Sequence, residues 1–243
     1  HPMIKPHVNS AAMTYDLACD PMYENLMTAT SHLTGKKVNR FTHIHQSIED
    51  LVNKVKMMRM IAQKTGTCFQ RCVGFDAMNA TFITTYNMDK KYGTNYHERF
   101  KKWMTYVQEN DLMIAGAMTD VKGNRSLKPS KQADPDLFTH VVEKREDGVV
   151  ICGAKAHMTG MANSHEMLIL PTTNLLDGDQ DYAIACAVPV DAEGITHIFG
   201  RQTNDQRRLQ GDLDTGNSEY AIVGGETLTV LDHVFVPWDR VFM

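Results

Sequence analysis

The chain has 243 residues, 42% hydrophobic and 22% charged, a globular composition long enough to bury a core. A net charge of −4 and a pI near 6.3 argue against nucleic acid as a partner, which calls for a basic surplus. No apolar run reaches the roughly 20 residues that cross a bilayer, and "HPMIKPHVNSAAM" has no signal-peptide h-region. Five cysteines (Cys19, Cys68, Cys72, Cys152, Cys186), scattered except for one pair, argue against a disulfide framework and for a reducing, cytoplasmic setting. Sixteen methionines are many, and gap-filling in cores and interfaces is their expected use. Beginning at His1 and stopping at "DRVFM", the chain reads as a piece of something longer.

The first 110 residues carry helical periodicity. In "SIEDLVNKVKMMRMIAQKTG" Ser47 with Asp50 three residues later is a capping-box pattern. Ile48, Leu51, Val52, Val55 and Met58 then keep one face, and Gly66 is the stop. A second helix is expected from near Thr67 towards Gly93, and a third over "YHERFKKWMTYVQEN", whose face is Phe100, Trp103, Met104 and Val107.

From Leu112 the texture becomes strand-like. "DLMIAGAMT" is a short apolar stretch, 122–135 is a polar loop with Gly and Pro, and "LFTHVVEKREDGVVICGAKAHMTG" is two strands around Glu-Asp-Gly, a hairpin signal. "HEMLILPT", "YAIACAVPV", "GITHIFGRQ" and "ETLTVLDHVFVPWDRVF" continue the β pattern. Helices first and strands after predict an α+β chain, with a helical domain over 1–110 and a β-barrel or sandwich domain over 111–243.

Three groups of residues could carry chemistry. Cys68 and Cys72, at i and i+4 on the expected helix, would share a face and could grip one metal or cluster. The alternative is two small hydrophobes in a core. In "GAKAHMTGMANSHE", Lys155, His157, Thr159, Ser164 and His165 crowd a strand end, as a ligand site or an exposed turn. Glu226 follows Gly224 and Gly225, so backbone could approach a ligand and present a carboxylate, against the default of a solvated surface group. The His43-x-His45 pair sits in a stretch that reads as structural. No GxGxxG follows a strand and no P-loop is present, so any flavin needs another binding architecture.

"KTGTCFQRCVGFDAMNA", "TTYNMDKKYGTNYH", "QENDLMIAGAMTDVKGNRS", "DPDLF", "VEKREDGVVICGAKAHMTG", "NSHE" and "DHVFVPWDRVF" together resemble the 4-hydroxyphenylacetate 3-hydroxylase family. The resemblance is to its branch that dehydrates 4-hydroxybutyryl-CoA, and it covers about the first half of the family's length. It implies a helical N-terminal domain and a β-barrel middle domain of acyl-CoA dehydrogenase type. The C-terminal helical domain would be absent from this chain. It implies FAD near Met118, Thr119, Asp120, Lys122, His157 and Thr159, and catalytic roles for Thr159 and Glu226. Cys68 and Cys72 would be two of four ligands of a 4Fe-4S cluster, the other two lying after Met243.

The implied reaction is dehydration of 4-hydroxybutyryl-CoA to crotonyl-CoA, with vinylacetyl-CoA isomerisation, by flavin radical chemistry with the cluster as Lewis acid. The implied assembly is a homotetramer with an acyl-CoA substrate, and this segment alone would be inactive. One departure stands out: Met158 replaces the glutamine that precedes the threonine in relatives. That would remove a polar group from beside the flavin. A flavin-dependent aromatic hydroxylase is the competing reading, and it has no use for the thiol pair.

Overall fold

The computed structural model describes residues 4–66, 68–200 and 226–243. Thr67, the expected start of the second helix, and Gly224 and Gly225 lie outside the described residues. Five α-helices are present among the described residues: α1 Lys5–Cys19, the short α2 Glu24–Met27, α3 Ile48–Thr65, α4 Cys72–Tyr92 and α5 Tyr96–Glu109. Two short strands, β1 Thr28–Thr30 and β2 Lys37–Asn39, pair antiparallel between α2 and α3.

Local signals fix the helix ends. Ser47 Oγ accepts from the Asp50 N–H at 3.1 Å while the Asp50 carboxylate accepts from the Ser47 N–H, the expected reciprocal box. Gly66 (φ 65°) and Gly93 (φ 67°) close α3 and α4 in the left-handed conformation that glycine adopts without strain. Helix α5 buries Phe100, Trp103, Met104 and Val107, the face its spacing predicts. Helix α3 differs from expectation. Its apolar face is turned outward, with Ile48 81% and Val55 63% exposed, and the helix instead buries Met57, Ile61 and Thr65. Helix α1, which sequence patterning leaves unassigned, buries polar His7, Ser10 and Thr14 beside Ala11 and Leu17.

The later strands are β3 Ile114–Ala117, β4 His140–Lys144, β5 Gly148–Thr159, β6 Glu166–Ile169, β7 Cys186–Pro189, β8 Ile195–Phe199 and β9 Glu226–Pro237. The predicted β4–β5 hairpin is present, closed by Arg145 N–H to Gly148 O at 2.8 Å. Among the described residues these strands form two open sheets, ordered β3-β6-β7 and β4-β5-β9-β8, with no closed barrel.

Layering follows from strand alternation. Ala115, Ala117, Met167, Ile169, Cys186 and Val188 face Val149, Ile151, Leu231, Val234 and Val236 of the four-stranded sheet. The alternate positions Ile114, Leu168 and Ala187 face α4 and α5 through Met78, Phe100 and Met104. The three-stranded sheet is therefore buried on both sides, which explains its nearly continuous apolar runs. Each large side chain so buried contributes about 1.5–3 kcal/mol. A third cluster, with Leu17, Met27, Phe41, Ile61, Phe69 and Phe75, joins α1 to α3 and to the start of α4. Methionines 27, 57, 78, 104, 158, 161 and 167 all sit in these interiors, as gap-filling predicts.

Two glycines set the distance between layers. A Cβ on Gly74 of α4 would lie 1.8 Å from Ile114 O, so helix and sheet meet backbone to backbone. A Cβ on Gly160, just after β5, would lie 2.6 Å from Gln70 O. That second approach brings the strand end onto the segment carrying the thiols.

Candidate functional site

Cys72 is the first residue of α4, and Cys68 lies in the turn before it. The thiols therefore do not share a helix face. The chain reverses at Gln70, which takes a left-handed φ of 66°, and this turn rather than helical spacing brings them together. Gln70 is buried and doubly clamped: its Nε2 contacts His7 Nδ1 at 2.7 Å, and its Oε1 accepts from Asn163 Nδ2 at 3.0 Å. Its backbone N–H donates to Cys68 Sγ at 3.3 Å. Next to it, buried Arg71 is held by Thr14 Oγ1 at 3.1 Å and stacks over the Tyr15 ring at 4.4 Å.

The two thiols are hydrogen-bonded to one another. This bond, opposed by burial and helped by the Gln70 N–H, lowers Cys68 to about 6, while the Glu226 carboxylate pushes it back up. The same bond, together with burial, pushes Cys72 upward. The lowering at Cys68 favours its thiolate, the form that binds soft metals. Cys68 is only half-buried and belongs to no apolar cluster. Cys72 does pack at the edge of the α1–α3 cluster.

Glu226 opens β9 directly opposite Thr159 at the end of β5. Thr159 Oγ1 is 3.5 Å from Glu226 Oε1, and His157 Nδ1 is 3.6 Å from Glu226 Oε2. A register irregularity between Lys155 and Met158 puts His157 at φ 60° with its side chain in solvent. Met158 points the other way. It is 2% exposed, within the core between the sheets and off the face of His157 and Thr159.

The 118–122 segment runs beside the same strand. The Ala156 N–H donates to Thr119 O at 2.8 Å, and Asp120 bridges to Lys155. Met118 is exposed, and Lys122 is half-buried with a left-handed φ of 79°. Asp120 is turned inward: its carboxylate is 2.7 Å from Lys155 Nζ, with the two side chains 4% and 1% exposed, and also accepts from the Thr139 N–H. It braces the segment instead of facing a cofactor. Ser164 and His165 are likewise structural, Ser164 donating to Gly160 O and His165 Nδ1 accepting from the Met113 N–H. His43 is structural too, buried with its Nε2 3.3 Å from Asp50.

Sequence reasoning misses Gln70, Asn163 and His7. No local pattern marks a glutamine for a left-handed turn, and His7 meets it only through the tertiary fold. The arrangement offers two soft sulfur donors, a carboxylate whose field reaches Cys68, and a hydroxyl.

Known proteins give this site its context. The whole chain, residues 1–243, matches the family model described as 4-hydroxyphenylacetate 3-hydroxylase N terminal. It is 56% identical over 245 residues to 4-hydroxybutyryl-CoA dehydratase/vinylacetyl-CoA-Delta-isomerase of Clostridium aminobutyricum, covering 100% of this chain and 50% of that protein. It is 30% identical over 244 residues to the 4-hydroxyphenylacetate 3-monooxygenase oxygenase component of Thermus thermophilus, covering 100% and 48%. Among solved structures, an oxygen-tolerant archaeal 4-hydroxybutyryl-CoA dehydratase from N. maritimus superposes with a TM-score of 0.93 at 54% identity, over 100% of this chain and 48% of that one. An oxygenase component (HpaB) complexed with FAD gives 0.76 at 27%, over 100% and 49%. The chain thus spans about half the length of the relatives it matches. Matched along its whole length, the chain belongs to the 4-hydroxyphenylacetate 3-hydroxylase N-terminal family.

Proposed function

We propose that this chain forms the first half of a dehydratase that converts 4-hydroxybutyryl-CoA to crotonyl-CoA and isomerises vinylacetyl-CoA. One observation carries the reading: Cys68 and Cys72 stand close enough in one turn to interact, and Glu226, which acts on Cys68, stands beside Thr159. An aromatic hydroxylase needs no such sulfur pair. The 56% identity to a dehydratase, against 30% to a monooxygenase component, supports the same choice. In this reading residues 1–110 are the helical domain, and the two sheets of 111–243 are the flavin-binding domain of acyl-CoA dehydrogenase type. The protein is a cytoplasmic homotetramer, and a helical C-terminal domain completes it.

The residues present fit both cofactors. Cys68 and Cys72 would supply two ligands of a 4Fe-4S cluster, their preorganised thiolate being the donor iron prefers. Met118, Thr119, Lys122, His157 and Thr159 would line FAD along the edge of β5, with Asp120 behind them fixing the segment through Lys155. When bound, FAD supplies one-electron chemistry and the cluster a Lewis acid for the departing hydroxyl. The chain's own residues orient the substrate. Glu226 Oε1 accepts a hydrogen bond from the substrate hydroxyl in competition with Thr159 Oγ1, and a proton relayed inward from His157 through Glu226 Oε2 lets that hydroxyl leave as water. Gly160, closing the strand end on Gln70 O, keeps the thiol turn within reach of that carboxylate.

The test is iron, acid-labile sulfide and flavin per chain, on protein of the relatives' full length purified without oxygen. About four irons and one FAD, with iron lost in Cys72→Ser while flavin stays, is the expected result. Flavin without iron in the parent would move the reading to reduced-flavin aromatic hydroxylation.

A further inference from the structure

We propose that Cys152, Asp232 and His233 form a second metal site, for a divalent cation of the zinc class, independent of the thiol pair and of the dehydratase reading. The three donors come from one irregularity in the β5–β9 ladder. Ile151 pairs with Val234 and Gly153 with Leu231, so Cys152 alone faces two residues, Asp232 and His233. Such a two-against-one bulge turns side chains that alternation would otherwise send to opposite faces towards one place. Here thiol, carboxylate and imidazole donor atoms all lie within 4.8 Å of one another. Zinc bonds to S, N and O of about 2.0–2.3 Å put the donors of a tetrahedral site about 3.5 Å apart. Asp232 and His233 have side chains 77% and 74% exposed, so small rotations suffice to close on an ion, and water takes the fourth position.

Two features separate this group from an ordinary surface turn. Cys152 is buried, yet it belongs to none of the apolar clusters that take up its neighbours Val149 and Ile151. Its sulfur instead faces the bulge, where it accepts from the His233 backbone N–H at 3.3 Å. His233 itself is left-handed at φ 56°, an uncommon and strained state for a non-glycine residue, and its Nδ1 is 2.6 Å from Asp232 Oδ1. The surrounding field suits a cation. After burial, the charges that push the Cys152 thiol upward are Asp136 and Asp232. A bound cation reverses that effect and displaces the thiol proton to solvent. The site lies about 20 Å from Thr159 at ordinary strand rise, so it would pin the ladder and take no part in the chemistry.

The experiment uses protein of the relatives' full length with Cys68→Ser and Cys72→Ser, so that the other thiol pair cannot answer, stripped with chelator and titrated with Co²⁺. One saturable equivalent is expected, with a sulfur-to-cobalt charge-transfer band in the near ultraviolet that Zn²⁺ abolishes. Cys152→Ser should lose the band, and Asp232→Asn and His233→Ala should each weaken binding at least tenfold. Because His233 is exposed, His233→Ala gives a folded test even where Cys152→Ser does not fold. Zn²⁺ should raise the Tm of the parent and leave that of His233→Ala unchanged. No band at micromolar protein with excess cobalt, or a band that survives Cys152→Ser, overturns the proposal.

Discussion

In the β5–β9 ladder, one irregularity adds its extra residue on β5 near His157, and the other adds its extra residue on β9 near His233. Each places a histidine at positive φ beside a carboxylate, His157 by Glu226 at 3.6 Å and His233 by Asp232 at 2.6 Å. The difference lies in their surroundings. The first stands near the thiol turn at the end of β5; the second opens to solvent beside a lone buried thiol. The shift introduced at one is undone at the other, so Val149 opposite Val236 and Thr159 opposite Glu226 share one register. A bulge supplies aim, and its neighbours decide what the aim is used for.

Deleting His233 is the strongest way to break that comparison. Without the compensating residue, pairing must slip by one along the ladder, and a slip of one exchanges core and solvent faces. We expect a loss of at least about 4 kcal/mol, the range reserved for disrupted cores, seen as failure to fold or a Tm fall of about 10 °C or more. A deletion variant that melts like the parent would show that the two bulges are not coupled.

Lys155→Met comes next. Lys155 and Asp120 are a buried pair, and Lys155 also donates to Met118 O and Leu170 O at 3.0 Å. Burial pulls the Lys155 ammonium down while Asp120 pushes it back up. Removing one partner strands the other, at about 3–5 kcal/mol. The paired variant Lys155→Met with Asp120→Leu should regain most of this in denaturant melts, since no lone charge remains. If the double variant is no more stable than the single, the pair is not what braces the 118–122 segment.

Gly160→Ala sharpens the link between strand end and thiols. A Cβ there needs the left-handed conformation at φ 75° and meets Gln70 O at 2.6 Å. We expect a cost of about 2 kcal/mol, a Tm fall of about 4–8 °C, and reduced iron uptake with flavin content retained. Equal loss of iron and flavin would mean that the contact supports the sheet alone.

What sequence makes legible in this molecule is what is settled locally. The Ser47–Asp50 box, the glycine stops at 66 and 93, the buried stripe of α5 and the turn at Glu146-Asp147-Gly148 all depend on a few adjacent residues, and all appear as expected. Thr159 and Glu226, distant in sequence, do meet, and only the resemblance named them as a pair. The thiols meet through Gln70, whose left-handed turn is imposed by His7 and Asn163 from other elements, so helical spacing misplaced Cys68. The outward face of α3 fails for the same reason: periodicity shows that Ile48, Leu51, Val52 and Val55 share a face, and tertiary packing decides which way it turns. Helix α1 has too little apolar periodicity to announce itself, because its buried positions are largely polar.

The smallest expected effect is a pH dependence that sets the helical region against the sheets. His43 and His45 lie below the ordinary histidine value, first because burial disfavours their charged form, with Asp50 partly restoring His43 and Lys54 further lowering His45. His32 and His97, also on the helical side, are lowered by burial as well. In the unfolded chain these rings bind protons near pH 6.5, whereas in the folded chain they do so only at lower pH. The unfolded state therefore takes up more protons in that window. Stability is full above about pH 6.5 and is lost as pH falls through it towards the folded values. Asp50, lowered by its backbone and His43 hydrogen bonds against a desolvation cost, adds a separate loss at more acid pH. Melting between pH 7.5 and 5.5 should show a Tm decrease of a few °C. His45→Phe should flatten part of it, since His45 already packs edge-on against Phe75 at 5.0 Å and its buried Nε2 has no partner among the described residues. A Tm that is level or rises on acidification would show that these rings are already protonated in the fold, and that the helical region is held by charge and not by burial.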